Sequence, residues 1–159
     1  MKRIHLHISV PDLAPAVAFY STLFDTAPVV VKDDYAKWML DDPRVNLAIS
    51  ARTRSAGIDH AGIQVESTAE LHELAARLKA AGSTIFDQEA TTCCYARSDK
   101  SWVTDPAGVR WETFVTHGEA VSYGEDEVLP EPVAACCGPV ATAPAKAAQS
   151  AKAAKSACC

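Results

Sequence analysis

Two stretches of the chain share one pattern, and together they decide the fold. Residues 4–24 read IHLHISVPDLAPAVAFYSTLF, and residues 59–82 read DHAGIQVESTAELHELAARLKAAG. Each begins with the alternation of a strand and continues with apolar residues at the spacing of a helix. Asp12 and Ser67 are placed as helix caps, and Gly82 follows the second helical pattern. The chain therefore predicts an internal repeat of strand and helix.

Short apolar segments after each helix predict the remaining strands. They lie near residues 29–32, 36–40 and 45–50 in the first half, and near 84–88, 94–97, 101–104 and 110–116 in the second. The expected fold class is α+β, with two tandem βαβββ modules at residues 1–51 and 57–117. Neither module alone can cover its sheet, so we expect the two sheets to curl around a shared cleft within a domain of residues 1–124.

Residues 125–159 form an Ala-rich, cysteine-bearing tail. They offer too little bulky apolar surface to offset the entropy of ordering, so a flexible tail is expected. The net charge of -5, without a basic run in the body of the chain, argues against a nucleic-acid partner. No apolar stretch has the length of a signal peptide core or a membrane span, so we expect no membrane partner and a cytoplasmic location.

All six cysteines fall in adjacent pairs, which is unusual for a disulfide framework. The pairs are Cys93-Cys94, Cys136-Cys137 and Cys158-Cys159. Two neighbouring thiolates can both bind one soft metal or metalloid atom, so the pairs are interpreted as chelating dithiols. The competing interpretation of such a pair is that both cysteines pack as small apolar residues.

Two histidines occupy the same position of the repeat. His5 precedes Val10 by five residues, and His60 precedes Val65 by five. Two unrelated histidines on ordinary strands remain the alternative. Alternation along the last strand puts Glu112 on the face of an aromatic residue, where a carboxylate is costly unless it pairs or binds a metal. His5, His60 and Glu112 therefore form a predicted ligand set of two histidines and one carboxylate.

The repeat also indicates how many ligands there are. Ala48 stands in the first half where Glu112 stands in the second, so a symmetric fourth ligand is absent. Three protein ligands leave about three positions open on an octahedral ion, as in non-heme Fe(II) centres that use O₂. His7 would share the face of His5, either as a partner of a ligand or as an alternative ligand.

These residues carry a family resemblance. H-x(4)-V-x-D followed by AFY, a second H-x(4)-V, and D-P-x-G-x-x-W-E resemble the vicinal oxygen chelate superfamily, which includes glyoxalase I and extradiol dioxygenases. The stretch TTCCYA…DKSWVTDPAG…WE resembles the ArsI/CadI family within it. The likeness covers about residues 1–124 and a cysteine-bearing tail. Members of that family often have Gln at the position of His5, whereas histidine is usual there in the wider superfamily.

The resemblance implies an organoarsenical carbon–arsenic lyase. Such an enzyme uses Fe(II) and O₂ to release arsenite from trivalent methylarsenite, or to remove arsenic from trivalent aromatic arsenicals. A flexible loop would carry the bound arsenical to the metal. A homodimer is also compatible with the resemblance. The resemblance assigns His5, His60 and Glu112 to the metal, and Cys93 and Cys94 to arsenic. Tyr95 and Lys100 flank the cysteine loop, which suggests that they contact the substrate or close the loop. The tail pairs are interpreted as accessory arsenic ligands, with a dispensable extension as the alternative: Cys136, Cys137, Cys158 and Cys159.

Two other functions fit parts of the sequence. A binding protein could sequester arsenite or cadmium on its dithiols without turnover, and the tail favours this reading. Glyoxalase-like or thiol-transferase chemistry with Zn, Ni or Mn would explain the fold and the metal. It leaves Cys93-Cys94 without a role.

Overall fold

The computed structural model describes residues 1–52 and 55–124. The predicted tail and its four cysteines lie outside the described residues. The described elements follow in chain order: β1 Arg3–Ser9, α1 Leu13–Leu23, β2 Val30–Lys32, β3 Tyr35–Asp41, β4 Arg44–Ser50, β5 Gly57–Val65, α2 Thr68–Ala80, β6 Phe86–Cys93, β7 Ala96–Thr104 and β8 Arg110–Glu119. Neither described helix is long and apolar enough to cross a membrane.

The eight strands form one continuous sheet in the order β2-β3-β4-β1-β5-β8-β7-β6. The first strands of the two halves, β1 and β5, pair antiparallel at its centre. Within each half the first strand pairs in parallel with the last, β1 with β4 and β5 with β8. The predicted α+β fold of two βαβββ modules around a shared cleft is confirmed, and the cleft forms within one chain.

Helix caps and apolar stripes follow the sequence pattern. The Asp12 carboxylate accepts a hydrogen bond from the backbone N–H of Ala14, and the Ser67 hydroxyl accepts one from Glu70. Helix α1 packs against a buried core of β3 and β4 centred on Trp38, which is fully buried. Burying such an aromatic side chain supplies several kcal/mol at ~25 cal/mol per Å², so this core anchors the first half.

The strand boundaries differ most from prediction at the β6–β7 hairpin. The sequence predicted strands over 84–88, 94–97 and 101–104. The structure has two strands there, β6 over Phe86–Cys93 and β7 over Ala96–Thr104, and it extends β8 from the predicted end at 116 to Glu119. The prediction failed because Cys94 and Tyr95 both adopt left-handed backbone conformations, with φ of 57° and 60°. Neither residue type signals such a turn.

Candidate metal and dithiol site

The strand register brings the predicted metal-binding residues to one face at the centre of the sheet. His5 lies opposite Gly62 across β1 and β5, and His7 lies opposite His60. On the next strand, Glu112 lies beside Gly62. A Cβ atom at position 62 would overlap the backbone carbonyl of Glu112, so glycine lets β8 approach closely.

The three predicted ligand side chains converge. The His5 and His60 Nε2 atoms are 3.2 Å apart, and Glu112 Oε2 lies 3.6 Å from the first and 3.5 Å from the second. Metal–ligand bonds of about 2.1 Å place neighbouring donor atoms of one ion about 3.0–3.4 Å apart. All three side chains are buried. Their spacing therefore fits the first coordination sphere of a single ion.

The second ring nitrogen of each histidine fixes which atom carries the lone pair. His5 Nδ1 donates to the carbonyl oxygen of Asn46 at 3.0 Å, and His60 Nδ1 donates to Asp59 Oδ1 at 2.7 Å. A carbonyl or carboxylate oxygen only accepts, so both Nε2 atoms of the neutral rings face the pocket as acceptors. Three acceptor atoms that face one another are unfavourable unless a positive charge lies among them. The pocket has the chemistry of a cation site.

Protonation follows the same electrostatics. Burial lowers the pKa of His5 to about 4, so that ring is neutral near pH 7. Burial opposes the charged form of His60 as well. Hydrogen bonds to Asp59 and Glu112 outweigh burial and raise the pKa of His60. The carboxylates of Asp59 and Glu112 therefore favour positive charge at this end of the pocket.

Lys100 is the buried counter-charge of Glu112. Its Nζ donates to Glu112 Oε1 at 2.5 Å, which leaves Oε2 directed toward the two histidines. Burial alone would raise the pKa of Glu112, yet the Lys100 charge and the histidines hold that pKa well below its usual range. Lys100 also lowers the cost of negative charge on Cys94. The Lys100 ammonium therefore acts electrostatically on both the donor pocket and the dithiol.

The two cysteines lie at a two-residue hairpin turn, which is shorter than the flexible loop expected from the sequence. Successive side chains on a strand point to opposite faces, so two neighbouring thiols would ordinarily diverge. The left-handed Cys94 and Tyr95 give the hairpin the backbone of a type I′ turn. As a result Cys93 Sγ and Cys94 Sγ lie 3.1 Å apart. They are close enough to bind one soft atom together.

Three tyrosines surround the dithiol. Tyr35, Tyr95 and Tyr123 lie with ring centroids 5.7–6.0 Å from one another, and both cysteines pack against this cluster. Cys94 Sγ donates to the Tyr123 hydroxyl at 3.5 Å. A hydrogen bond with Cys93 and burial both raise the pKa of the Cys94 thiol. These interactions therefore favour the thiol form of Cys94 over the thiolate.

Residues 121–124 cover the hairpin after β8 ends. Gly124 pairs with Cys93 as an antiparallel bridge, and a side chain at position 124 would overlap the backbone of Thr92. The Arg52 guanidinium lies 3.8 Å from the centre of the Tyr123 ring. Asp59, Tyr35 and Tyr123 are site residues that the sequence patterns did not predict. Asp59 could have been found because it directly precedes His60 in the sequence. No sequence pattern indicates that Tyr123 packs against the cysteines.

Comparisons with known proteins identify relatives of the chain. The profile of the Glyoxalase/Bleomycin resistance protein/Dioxygenase superfamily matches residues 2–113. A trivalent organoarsenical cleaving enzyme of Thermomonospora curvata is 38% identical over 141 residues, which cover 87% of this chain and 90% of that protein. The chain belongs to the Glyoxalase/Bleomycin resistance protein/Dioxygenase superfamily. The cadmium-induced protein CadI of Mycobacterium bovis is 37% identical over 125 residues, covering 78% of this chain and 82% of the relative.

Solved structures support the fold. Homoprotocatechuate 2,3-dioxygenase of Arthrobacter globiformis aligns with a TM-score of 0.55 at 21% identity, over 75% of this chain and 37% of that chain. An identity this low shows a shared architecture and nothing about the reaction. The family and the fold are thus established.

Proposed function

We propose that the chain cleaves the carbon–arsenic bond of trivalent organoarsenicals such as methylarsenite. The observation that carries the proposal is the placement of a three-acceptor cation pocket and a converged dithiol around one buried lysine. The curated relative of Thermomonospora curvata, whose name describes cleavage of trivalent organoarsenicals, supports the substrate class. O₂ would oxidise the carbon bonded to arsenic as the C–As bond breaks, so that one methylarsenite and one O₂ would give one arsenite, As(OH)₃, and one formaldehyde.

The dithiol is proposed to hold the arsenic atom. Trivalent arsenic is soft and bonds strongly to thiolates, and Cys93 Sγ and Cys94 Sγ are already 3.1 Å apart. Both thiols lose their protons when arsenic binds, and the nearby Lys100 ammonium favours negative charge there. The left-handed turn fixes the direction of both sulfur atoms, so arsenic is positioned rather than merely captured.

His5, His60 and Glu112 are proposed to hold Fe(II). Two imidazoles and one carboxylate suit that ion, and the acceptor spacing fits one ion without rearrangement. Fe(II), when bound, would supply the redox chemistry that lets O₂ oxidise the carbon bonded to arsenic. Asp59 and the Asn46 carbonyl hold the two imidazoles with Nε2 toward the pocket.

Lys100 and Tyr95 are proposed to act on the substrate side. Lys100 bonds to Glu112 and interacts electrostatically with both cysteines, so its charge acts on the donor pocket and on the dithiol. Tyr95 donates to Asp34 at 2.8 Å and follows Cys94 in the turn, which anchors the hairpin to the first half of the sheet. The accessory role of Cys136-Cys137 and Cys158-Cys159, a homodimer and a cytoplasmic location stay predictions.

Sequestration without turnover is the second candidate, and the relative CadI favours it because its name records induction by cadmium. A dithiol that only traps soft metal would have no use for a buried acceptor pocket beside it. Glyoxalase-like chemistry is the third candidate, and it leaves the left-handed Cys94 turn without a role. The donor pocket therefore favours catalysis.

The deciding experiment follows arsenic by speciation. Anaerobically purified protein is loaded with Fe(II), mixed with trivalent methylarsenite and then exposed to air. We expect inorganic arsenite to appear with the unaltered protein and to disappear in Cys93→Ser and in His60→Ala. His72→Ala, which removes an exposed histidine on α2, is the matched control and should retain release. Methylated arsenic that stays bound to the unaltered protein would establish a trap instead.

A further inference from the structure

His7 is a buried histidine that the proposed donor set leaves unused. Its side chain lies on the pocket face, with its ring centroid 5.0 Å from that of His60. His7 Nε2 bonds to Ser50 Oγ at 2.9 Å. Among the described residues, its buried Nδ1 has no hydrogen-bond partner. Leaving a buried polar atom without a hydrogen bond destabilises the folded protein by about 1–3 kcal/mol, so a ligand that bonds to Nδ1 would be stabilising.

The internal symmetry of the sheet shows which position His7 occupies. Across β1 and β5, His5 pairs with Gly62 and His7 pairs with His60. Exchanging the two halves therefore maps His5 onto His60 and His7 onto Gly62. The second half has no side chain at the position of His7.

The outer strands complete the comparison. Gly62 lies beside Glu112 across β5 and β8, and His7 lies beside Ala48 across β1 and β4. Ala48 is therefore the counterpart of Glu112, as the sequence repeat predicted. In the second half the donor side chain is Glu112 on β8, beside Gly62 on β5. In the first half the donor side chain is His7 on β1, beside Ala48 on β4.

We infer that His7 is a fourth metal ligand, supplied by β1 in place of the donor that Ala48 cannot offer. One ring nitrogen of each of His5, His7 and His60 lies within 4.8 Å of the other two. Ligands on opposite sides of an ion, each about 2.1 Å away, are about 4.2 Å apart, so a small movement suffices. The inference rests on the proposed function, because it assumes that the pocket binds a metal.

The chemistry of His7 suits this role. When His7 Nε2–H donates to Ser50 Oγ, Nδ1 carries the lone pair that a metal requires. The site then offers three nitrogens and one oxygen, which favours a divalent first-row transition ion over Mg²⁺ or Ca²⁺. An octahedral ion keeps about two open positions rather than the three that the sequence repeat suggested.

X-ray absorption spectroscopy tests the ligand count on the unaltered protein. The full chain is loaded with one equivalent of Co(II) under anaerobic conditions, and the number of imidazole ligands is fitted from the multiple-scattering pattern. Three imidazoles are expected. Two imidazoles overturn the inference and leave the proposed metal site standing. Failure of the pocket to bind Co(II) or Fe(II) at all would refute the proposed function itself.

Substitution provides the second readout. His7→Leu should lose one imidazole from the spectrum and lower Co(II) affinity at least ~10-fold in competition with a chromophoric chelator. His72→Ala removes an exposed histidine on α2 and should change neither quantity. If His7→Leu binds Co(II) within ~3-fold of the unaltered protein, His7 is no ligand. If the variant does not fold, the imidazole count of the unaltered protein decides alone.

Discussion

Replacing Lys100 by methionine should destabilise the metal-free protein strongly. The Lys100 ammonium and the Glu112 carboxylate are 2.5 Å apart, and both side chains are less than 10% exposed. At an effective dielectric constant of about 20, their attraction is about 7 kcal/mol. Lys100→Met removes that attraction and leaves an uncompensated buried carboxylate. Relaxation and apolar packing of methionine recover part of the loss, so the expected net cost is about 3–5 kcal/mol.

The assay is urea unfolding in the presence of a chelator, with stability taken from the midpoint and slope. Lys79→Met is the matched control, because Lys79 pairs with Asp87 at 2.8 Å while both side chains are about half exposed. An exposed pair of this kind contributes about 0–1 kcal/mol. Adding Glu112→Gln to Lys100→Met should restore most of the lost stability, since no buried charge then lacks its partner.

A cost of Lys100→Met no larger than that of Lys79→Met would show that the buried pair contributes no more than an exposed one. A double variant less stable than Lys100→Met would show that the unpaired carboxylate is not the source of the loss. Should the single variant fail to fold, the folded state of the double variant still separates the two accounts.

Three further predictions test the remaining geometry. Asp59→Asn should weaken Co(II) binding about 10–100-fold in chelator competition because it loosens the orientation of His60, and an unchanged affinity would contradict this. Gly124→Ala should cost about 1–3 kcal/mol in urea unfolding, whereas Gly118→Ala, with open space around it, should be nearly neutral; equal costs would argue against the close bridge. Free Co(II) at 100 times its dissociation constant should raise the free energy of unfolding by about 2.7 kcal/mol, and His5→Ala should abolish this gain; no gain in the unaltered protein would exclude the cation site.

The repeat let the sequence determine the fold class and the convergence of the candidate ligands. Strand and helix periodicity placed both helices, and the equivalence of His5 with His60 survives in the strand register. Alternation along the last strand also put Glu112 on the pocket face, beside Phe114, whose ring lies 5.1 Å from that of His5. These features follow from local periods of 2 and 3.6 residues, which a sequence displays directly.

Only the tertiary structure decided how these groups are paired. The bond from Lys100 to Glu112 depends on β7 and β8 lying side by side, and the orphaned nitrogen of His7 appears only once β1 is seated between β4 and β5. The dithiol converges because Cys94 adopts a left-handed conformation that its residue type does not favour. Contacts between residues far apart in the chain are set by strand register and packing. Such long-range contacts cannot be predicted from local sequence patterns.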